Sequence, residues 1–197
     1  MSEQETRPRG RPRKADTDER VLAAARALEA ELGYDGTSVD AIAERAGVAK
    51  TSIYRRWPNK GLLMYEAVLG QNPRFAEIAD TGDIVEDLLA VLTTNAVGFR
   101  DRRLRELISN LLADAIRDEA LAARLREQFF GPRADAIAAR VRVGVERGEL
   151  APTIDTGIVP ALLTGPLQYL MIVRGSDLHD DDLRRVVLGV VGAHLQD

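Results

Sequence analysis

The sequence predicts an all-α protein: an N-terminal three-helix helix-turn-helix module followed by a larger helical bundle, about nine helices in all. Three observations carry that expectation. Apolar residues recur three and four positions apart along most of the chain, the period of a helix with one buried face. No stretch between turn signals alternates apolar and polar residues as a half-buried strand must. Near the N-terminus, two short helical stretches are joined by a turn containing Gly47, as a helix-turn-helix requires.

In chain order, residues 1–15 lack apolar periodicity and carry Pro8, Gly10 and Pro12, so they read as a disordered basic arm. Asp16, with Glu19 three positions on, resembles a capping box opening a first helix. Val21, Ala25, Leu28 and Leu32 follow at helical spacing until Gly33 supplies a left-handed stop. Thr37 and Ser38 offer hydroxyl caps for a two-turn helix over 39–46, which Gly47 ends. A third short helix starts at Ala49 or Lys50 and must end before Pro58, because the residue preceding a proline is pushed out of the α region. Asn59 caps a fourth, containing Leu62, Leu63, Tyr65 and Val68. Residues 70–82 read as a connector, with 75–79 as a possible helical piece. Further helices are predicted over 83–99, 102–115, 119–147 with a break at Gly131-Pro132, 156–174 with a kink at Gly165-Pro166, and 180–195. The expected divisions are an arm over 1–15, a module over 16–62 and a second domain over 63–197.

Composition narrows the function. The 197 residues, 45% of them hydrophobic, supply a core without help from disulfides or metals. The absence of cysteine excludes disulfides, iron–sulfur clusters, thiolate zinc sites and a cysteine nucleophile. There is no secretory apolar segment and no run of the ~18 apolar residues that a membrane span needs, so the cytoplasm is the default location. A net charge of −4 argues against a general nucleic-acid binder, but its distribution says more. Arg7, Arg9, Arg11, Arg13 and Lys14 crowd together without an acid among them, and Lys50, Arg55, Arg56 and Lys60 form a second group.

On a helical wheel at about 100° per residue, placing Ile53 inward puts Trp57 about 40° away, with Thr51 and Arg55 opposite and Ser52 and Tyr54 flanking them. Lys50, Thr51, Ser52, Tyr54, Arg55 and Arg56 are then mainly outward, a mixture of cations and hydroxyls that suits a phosphate-lined groove. A DNA major groove admits one such helix, whose N-terminal residues reach the base edges.

The segment 37–63, TSVDAIAERAGVAKTSIYRRWPNKGLL, closely resembles the DNA-binding signature of the tetracycline-repressor-type (TetR/AcrR) family of bacterial transcriptional regulators. Ala43, Gly47, Val48, Ile53, Tyr54, Trp57 and Lys60 stand in register. The resemblance implies that Lys50, Thr51 and Tyr54 reach base edges, that Ser52, Arg56 and Lys60 hold phosphates, and that Arg55 does either. Thr37 and Ser38, at a helix N-terminus, would clamp a further phosphate. Two positions depart from the family pattern: Ala49, where a capping Ser or Thr is common, and Gly61, where Glu is common. Neither removes an expected DNA contact. In the arm, Arg9-Gly10-Arg11-Pro12 resembles the core of an AT-hook, so Arg9 and Arg11 are expected in a narrow A·T-rich minor groove.

For residues 63–197 the resemblance implies a regulatory domain that binds a ligand and dimerises. Candidates for its pocket are Leu111, Phe129, Phe130, Tyr169 and Met171, apolar residues on presumed inner faces that read equally as core. The expected effector is a small apolar or amphipathic molecule; no cofactor and no metal is expected. The run 186–193 is apolar or small all round, which a helix tolerates only when covered on more than one side. Pairing with a second copy would cover Leu183, Val186, Val187, Val190, Val191 and His194; burial within one subunit is the alternative. Such a homodimer reads a palindromic operator in double-stranded DNA as two half-sites roughly 34–36 Å apart. Repression is the family's usual mode.

Two rival functions stand beside this one. Asp177, His179, Asp180, Asp181 and Asp182 suggest a metal-dependent enzyme, yet acids in a helix's first turn complement its dipole without any metal. No phosphate loop, dinucleotide fingerprint or nucleophile elbow occurs, and no enzymatic activity is expected. A sequence-indifferent architectural DNA protein is disfavoured by the acidic net charge and the interrupted basic surface.

Overall fold

The computed structural model describes residues 14–70 and 78–196; the expected minor-groove contacts Arg9 and Arg11, and most of the possible helix over 75–79, lie outside them. Among the described residues every regular element is helical, apart from an isolated antiparallel bridge between Leu150 and Leu195. Two compact units are distinguished, meeting in sequence between Ala67 and Val68.

The first unit is built from four helices. Helix α1 (Lys14–Gly36) begins two residues before the expected cap, so Asp16 lies within its first turn, where a carboxylate favours the dipole. Its backbone breaks at Gly33, which reaches φ 73°, a conformation that favours glycine. Helix α2 (Val39–Ala46) has its expected bounds: Ser38 Oγ accepts from the Ala41 amide at 3.1 Å, and Gly47, at φ 63°, donates its amide to the carbonyls of Ala43 and Glu44. Helix α3 (Lys50–Tyr54) starts from Ala49 without a side-chain cap, and Arg55, Arg56 and Trp57 close its last turn by amide bonds back to Thr51 and Ile53. Asn59 caps α4 (Lys60–Met64), accepting from Leu62 at 2.7 Å, and a π turn over Tyr65–Leu69 continues it. Leu22, Ala25, Leu28, Ile42, Ile53 and Leu63 fill the space between these helices.

In the second unit, α5 (Ile84–Arg100) packs against α6 (Arg102–Ala115), α8 (Gly131–Glu146), α9 (Val159–Gln168) and α10 (Asp180–Val191). Asp83, Asp101 and Asp118 cap α5, α6 and α7 (Glu119–Leu125) through their carboxylates. The break expected at Gly131-Pro132 is a π turn over Arg126–Phe130 that joins α7 to α8 without interruption. Gly131 gives its amide to the Arg126 carbonyl, and a Cβ there would stand 2.5 Å from that oxygen, so only glycine closes the turn without a shift. Pro132 follows in the first turn of α8, where a missing amide is tolerated. Helix α9 starts at Val159 rather than Thr156, because the Asp155 carboxylate holds the amides of Gly157 and Ile158 in a turn; the helix then runs through Pro166 into a third π turn, Tyr169–Val173. Helix α10 ends at Val191 and tightens into a 3₁₀ turn over Gly192–His194. Counting α7 to α8 as one, the described residues make nine continuous helical runs. None of their helices is long and apolar enough to cross a membrane.

One polar cluster interrupts this apolar core. Arg140, 5% exposed, donates from Nε to Asp87 at 2.7 Å and from its terminal nitrogens to Glu149 at 2.7 and 3.2 Å. Asp87, 1% exposed, also accepts from the hydroxyl and amide of Thr81. At the rim, Arg147 hydrogen-bonds Asp80 and holds its carboxyl below the usual range. A depressed carboxylate stabilises the fold above its unfolded pKa and loses that contribution as pH falls through the folded one, so this pair weakens only in acid.

Candidate nucleic-acid interface and internal cavity

The two faces of α3 separate as its sequence requires. Ile53 and Trp57 are buried, the indole N–H donating to Glu66 at 3.0 Å, while Lys50, Thr51, Tyr54, Arg55 and Arg56 stand exposed and Ser52 is half-buried. Arg56 lies loosely between Asp18 and Glu66, at 3.6 and 3.9 Å. Lys50 is held more firmly: its ammonium sits 2.6 Å from Asp40 on α2 and 5.7 Å from the Tyr54 ring centroid. The hydrogen bond to Asp40 raises the Lys50 pKa above its ordinary value, so the ammonium stays charged.

Asp40 is a residue that sequence reasoning missed, since its partner lies across the turn rather than along its own helix. Replacing it by Asn removes a charge that repels phosphate and releases Lys50. Duplex affinity is expected to rise about three- to tenfold at low salt in fluorescence anisotropy. Unchanged or weaker binding would show that Asp40 does not restrain this face.

Two of the expected phosphate contacts, Thr37 and Lys60, place their side chains at the turn between α1 and α2. Thr37 is 1% exposed; its hydroxyl donates to the Gly33 carbonyl at 2.7 Å and its amide to the Tyr34 carbonyl at 3.2 Å, so it stitches the turn after α1 instead of facing a groove. Lys60 is half-buried, with its ammonium on the carbonyls of Tyr34 (2.8 Å) and Thr37 (3.2 Å) and 4.0 Å from the Tyr34 ring centroid. It staples α4 to the α1–α2 turn. Ser38 stays exposed at the cap of α2.

In the second unit, α5, α6, α8, α9 and the π turn Arg126–Phe130 surround a cavity of about 320 Å³. Of the candidate pocket residues, Phe129 and Phe130 line it. The other candidates do not: Leu111 and Met171 are buried in the core at 1% and 0% exposure, and Tyr169 is 55% exposed. Asn95, Phe99, Leu104, Ile108, Arg133 and Gln168 line the cavity instead, and nothing in their spacing sets them apart from ordinary helix-face residues.

Of the expected partner-facing residues of α10, three turn inward. Leu183, Val187 and Val191 are fully buried in the chain's own core, Val186 and Val190 pack partly against it, and His194 lies in the 3₁₀ turn with Nδ1 3.3 Å from the Thr153 hydroxyl. The positions recurring every four residues are those that the chain's own core takes, which leaves Leu188 and Gly189 outward. On the neighbouring α9 and its π turn, Ile158, Leu162, Tyr169 and Val173 recur at intervals of four and seven and are all exposed, a stripe the sequence reading did not single out.

Comparison with known proteins matches this geometry. A family model described as bacterial regulatory proteins, tetR family, matches residues 21–67, and one described as tetracyclin repressor-like, C-terminal domain, matches residues 78–190. An AT hook motif model matches residues 6–18. An uncharacterized HTH-type transcriptional regulator of Bacillus subtilis, YdeS, is 34% identical over 91% of this chain and 90% of its own. A DNA-binding transcriptional repressor, TetR, of Mycobacteroides abscessus is 31% identical over 85% and 87%. Among solved structures, the TetR family transcription regulator SCO0332 superposes with a TM-score of 0.73 at 24% identity, covering 91% of this chain and 99% of its own.

Proposed function

The chain belongs to the tetR family of bacterial regulatory proteins, and from that premise we propose that it is a cytoplasmic repressor: a homodimer that binds a palindromic operator and is released by a small apolar or amphipathic effector. The observation that carries this reading is the outward face of α3, where Lys50, Thr51, Tyr54 and Arg55 stand exposed on a helix fixed from behind by Ile53 and Trp57. Ser52 and Arg56 flank it as phosphate contacts, with Ser38 at the cap of α2. The exposed apolar stripe of α9 with Leu188 of α10 supports pairing of two copies through these helices, with Val186 and Val190 at its margin. The cavity lined by Phe129 and Phe130 supports the effector.

Footprinting on the promoter upstream of the protein's own coding region tests the reading. A bounded palindromic footprint is expected; uniform protection would favour an architectural protein. The arm is tested separately. Deleting residues 1–13 removes Arg9 and Arg11 and is expected to weaken operator binding and flatten its dependence on salt, because each phosphate neutralised contributes about 0.9 to the slope. An unchanged slope would exclude a DNA role for the arm.

A further inference from the structure

The cavity of the second unit carries chemical detail beyond its size. Its walls are aliphatic and aromatic, with Phe99 on α5, Leu104 and Ile108 on α6, and Phe129 and Phe130 in the π turn. The last two rings meet edge to face, with centroids 4.9 Å apart and planes at 86°, the geometry in which aromatic groups attract one another and an aromatic guest. At about 320 Å³ the space lies at the small end of ligand sites, room for one compact molecule.

Few polar groups interrupt these walls. Asn95 on α5 and Gln168 at the end of α9 line the cavity, and neither side-chain amide bonds to another described residue. Each offers two donors and an acceptor, the groups that orient a guest in an otherwise apolar site. Thr164 donates its hydroxyl to the Pro160 carbonyl at 2.8 Å and can only accept. Arg133 donates to the Phe129 carbonyl and sets its guanidinium carbon 3.9 Å from that ring's centroid. A cation therefore already occupies one face of Phe129, and no carboxylate lines the cavity among the described residues. A guest ammonium would meet a like charge and no counter-ion, which makes its desolvation costly.

We propose that the cavity takes a compact aromatic oxygen acid, a phenol or an aromatic carboxylic acid, and rejects aromatic cations. The rings pack against Phe99, Phe129 and Phe130, and the oxygen function meets the amides of Asn95 and Gln168. The proposal rests on reading this cavity as the effector site, but it makes a separate claim about which chemistry enters.

Calorimetric titration of the full chain with four probes of matched size tests it: naphthol, naphthoate, naphthylmethylammonium and methylnaphthalene. Naphthol and naphthoate are expected to bind at least about tenfold more tightly than the ammonium, the consequence of burying a charge without a partner. The double variant Asn95→Leu, Gln168→Leu should weaken naphthol about tenfold, as for two lost hydrogen bonds, and methylnaphthalene by less than about twofold. Ala134→Phe, which fills the cavity from α8, should abolish binding of every probe while circular dichroism reports an intact fold. Ammonium binding as tight as that of naphthol, an equal loss of all probes in the double variant, retention of binding by a folded Ala134→Phe, or failure of every probe to bind would each overturn the proposal. If Ala134→Phe does not fold, the double variant decides. Operator release is measured separately by anisotropy: probes that bind in the expected order but leave operator affinity unchanged overturn the effector reading and leave the ligand class standing.

Discussion

Replacing Asp87 by alanine is expected to lower the stability of the second unit by about 3–5 kcal/mol, because it strands a buried guanidinium. Arg140 is almost fully covered, and Asp87 is its partner from α5; Glu149, with Asp80 at 3.7 Å on the rim, would then have to balance the charge. The hydroxyl and amide of Thr81 lose their acceptor in the same step. Chemical denaturation should show a lower midpoint at unchanged slope. The companion variant Asp87→Leu, Arg140→Met, Glu149→Gln removes the charges of the cluster together and should regain most of the loss, since well-packed neutral groups often equal the ion pairs they replace. A loss below about 1 kcal/mol for Asp87→Ala would mean that water reaches Arg140.

Tyr54→Ala should weaken operator binding by about 1–3 kcal/mol at each half-site, hence roughly thirtyfold or more for a symmetric pair, while leaving the melting temperature nearly unchanged. The ring is 43% exposed and flanks the outward face of α3, so its removal opens no cavity in the core. The effect should be confined to the operator. Affinity for random duplex, set mainly by Arg55, Arg56 and Lys50, should fall much less. Tyr54→Phe divides the ring's share from that of the hydroxyl. Equal losses on operator and random DNA would remove Tyr54 from sequence readout.

What was legible in the sequence follows the range of the interactions that fix each feature. Ser38, Gly47 and Asn59 announce the bounds of α2 and the start of α4, because a cap is settled within three or four residues. The buried side of α3 was legible for the same reason, since Ile53 and Trp57 are one turn apart. Lys60 and Thr37 were not: their partners are carbonyls in a turn whose path is set only when α1, α2 and α4 meet. Asp40 and Lys50 belong to different helices and find each other across Gly47. In the second unit, periodicity shows that one face of α10 is buried but not by whom, and Leu183, Val187 and Val191 turn to their own core. The cavity is the least legible part. Asn95 and Gln168 matter because two helices cross there, and no local pattern announces that crossing.

The wide turn before α8 also constrains how this chain can vary in length. Arg126–Phe130 holds one residue more than an α turn of the same span, and Gly131 closes it. Deleting a single residue there would let the segment relax into an ordinary helix, and because the wide turn spans no more than an α turn, α8 would keep its phase relative to α7. Arg140 would stay beside Asp87 and Glu149, and the apolar flank of α8 would still face α5. Descendants that lose a codon in this stretch should therefore keep the interior, whereas a loss further along α8 would rotate everything beyond it by about 100°.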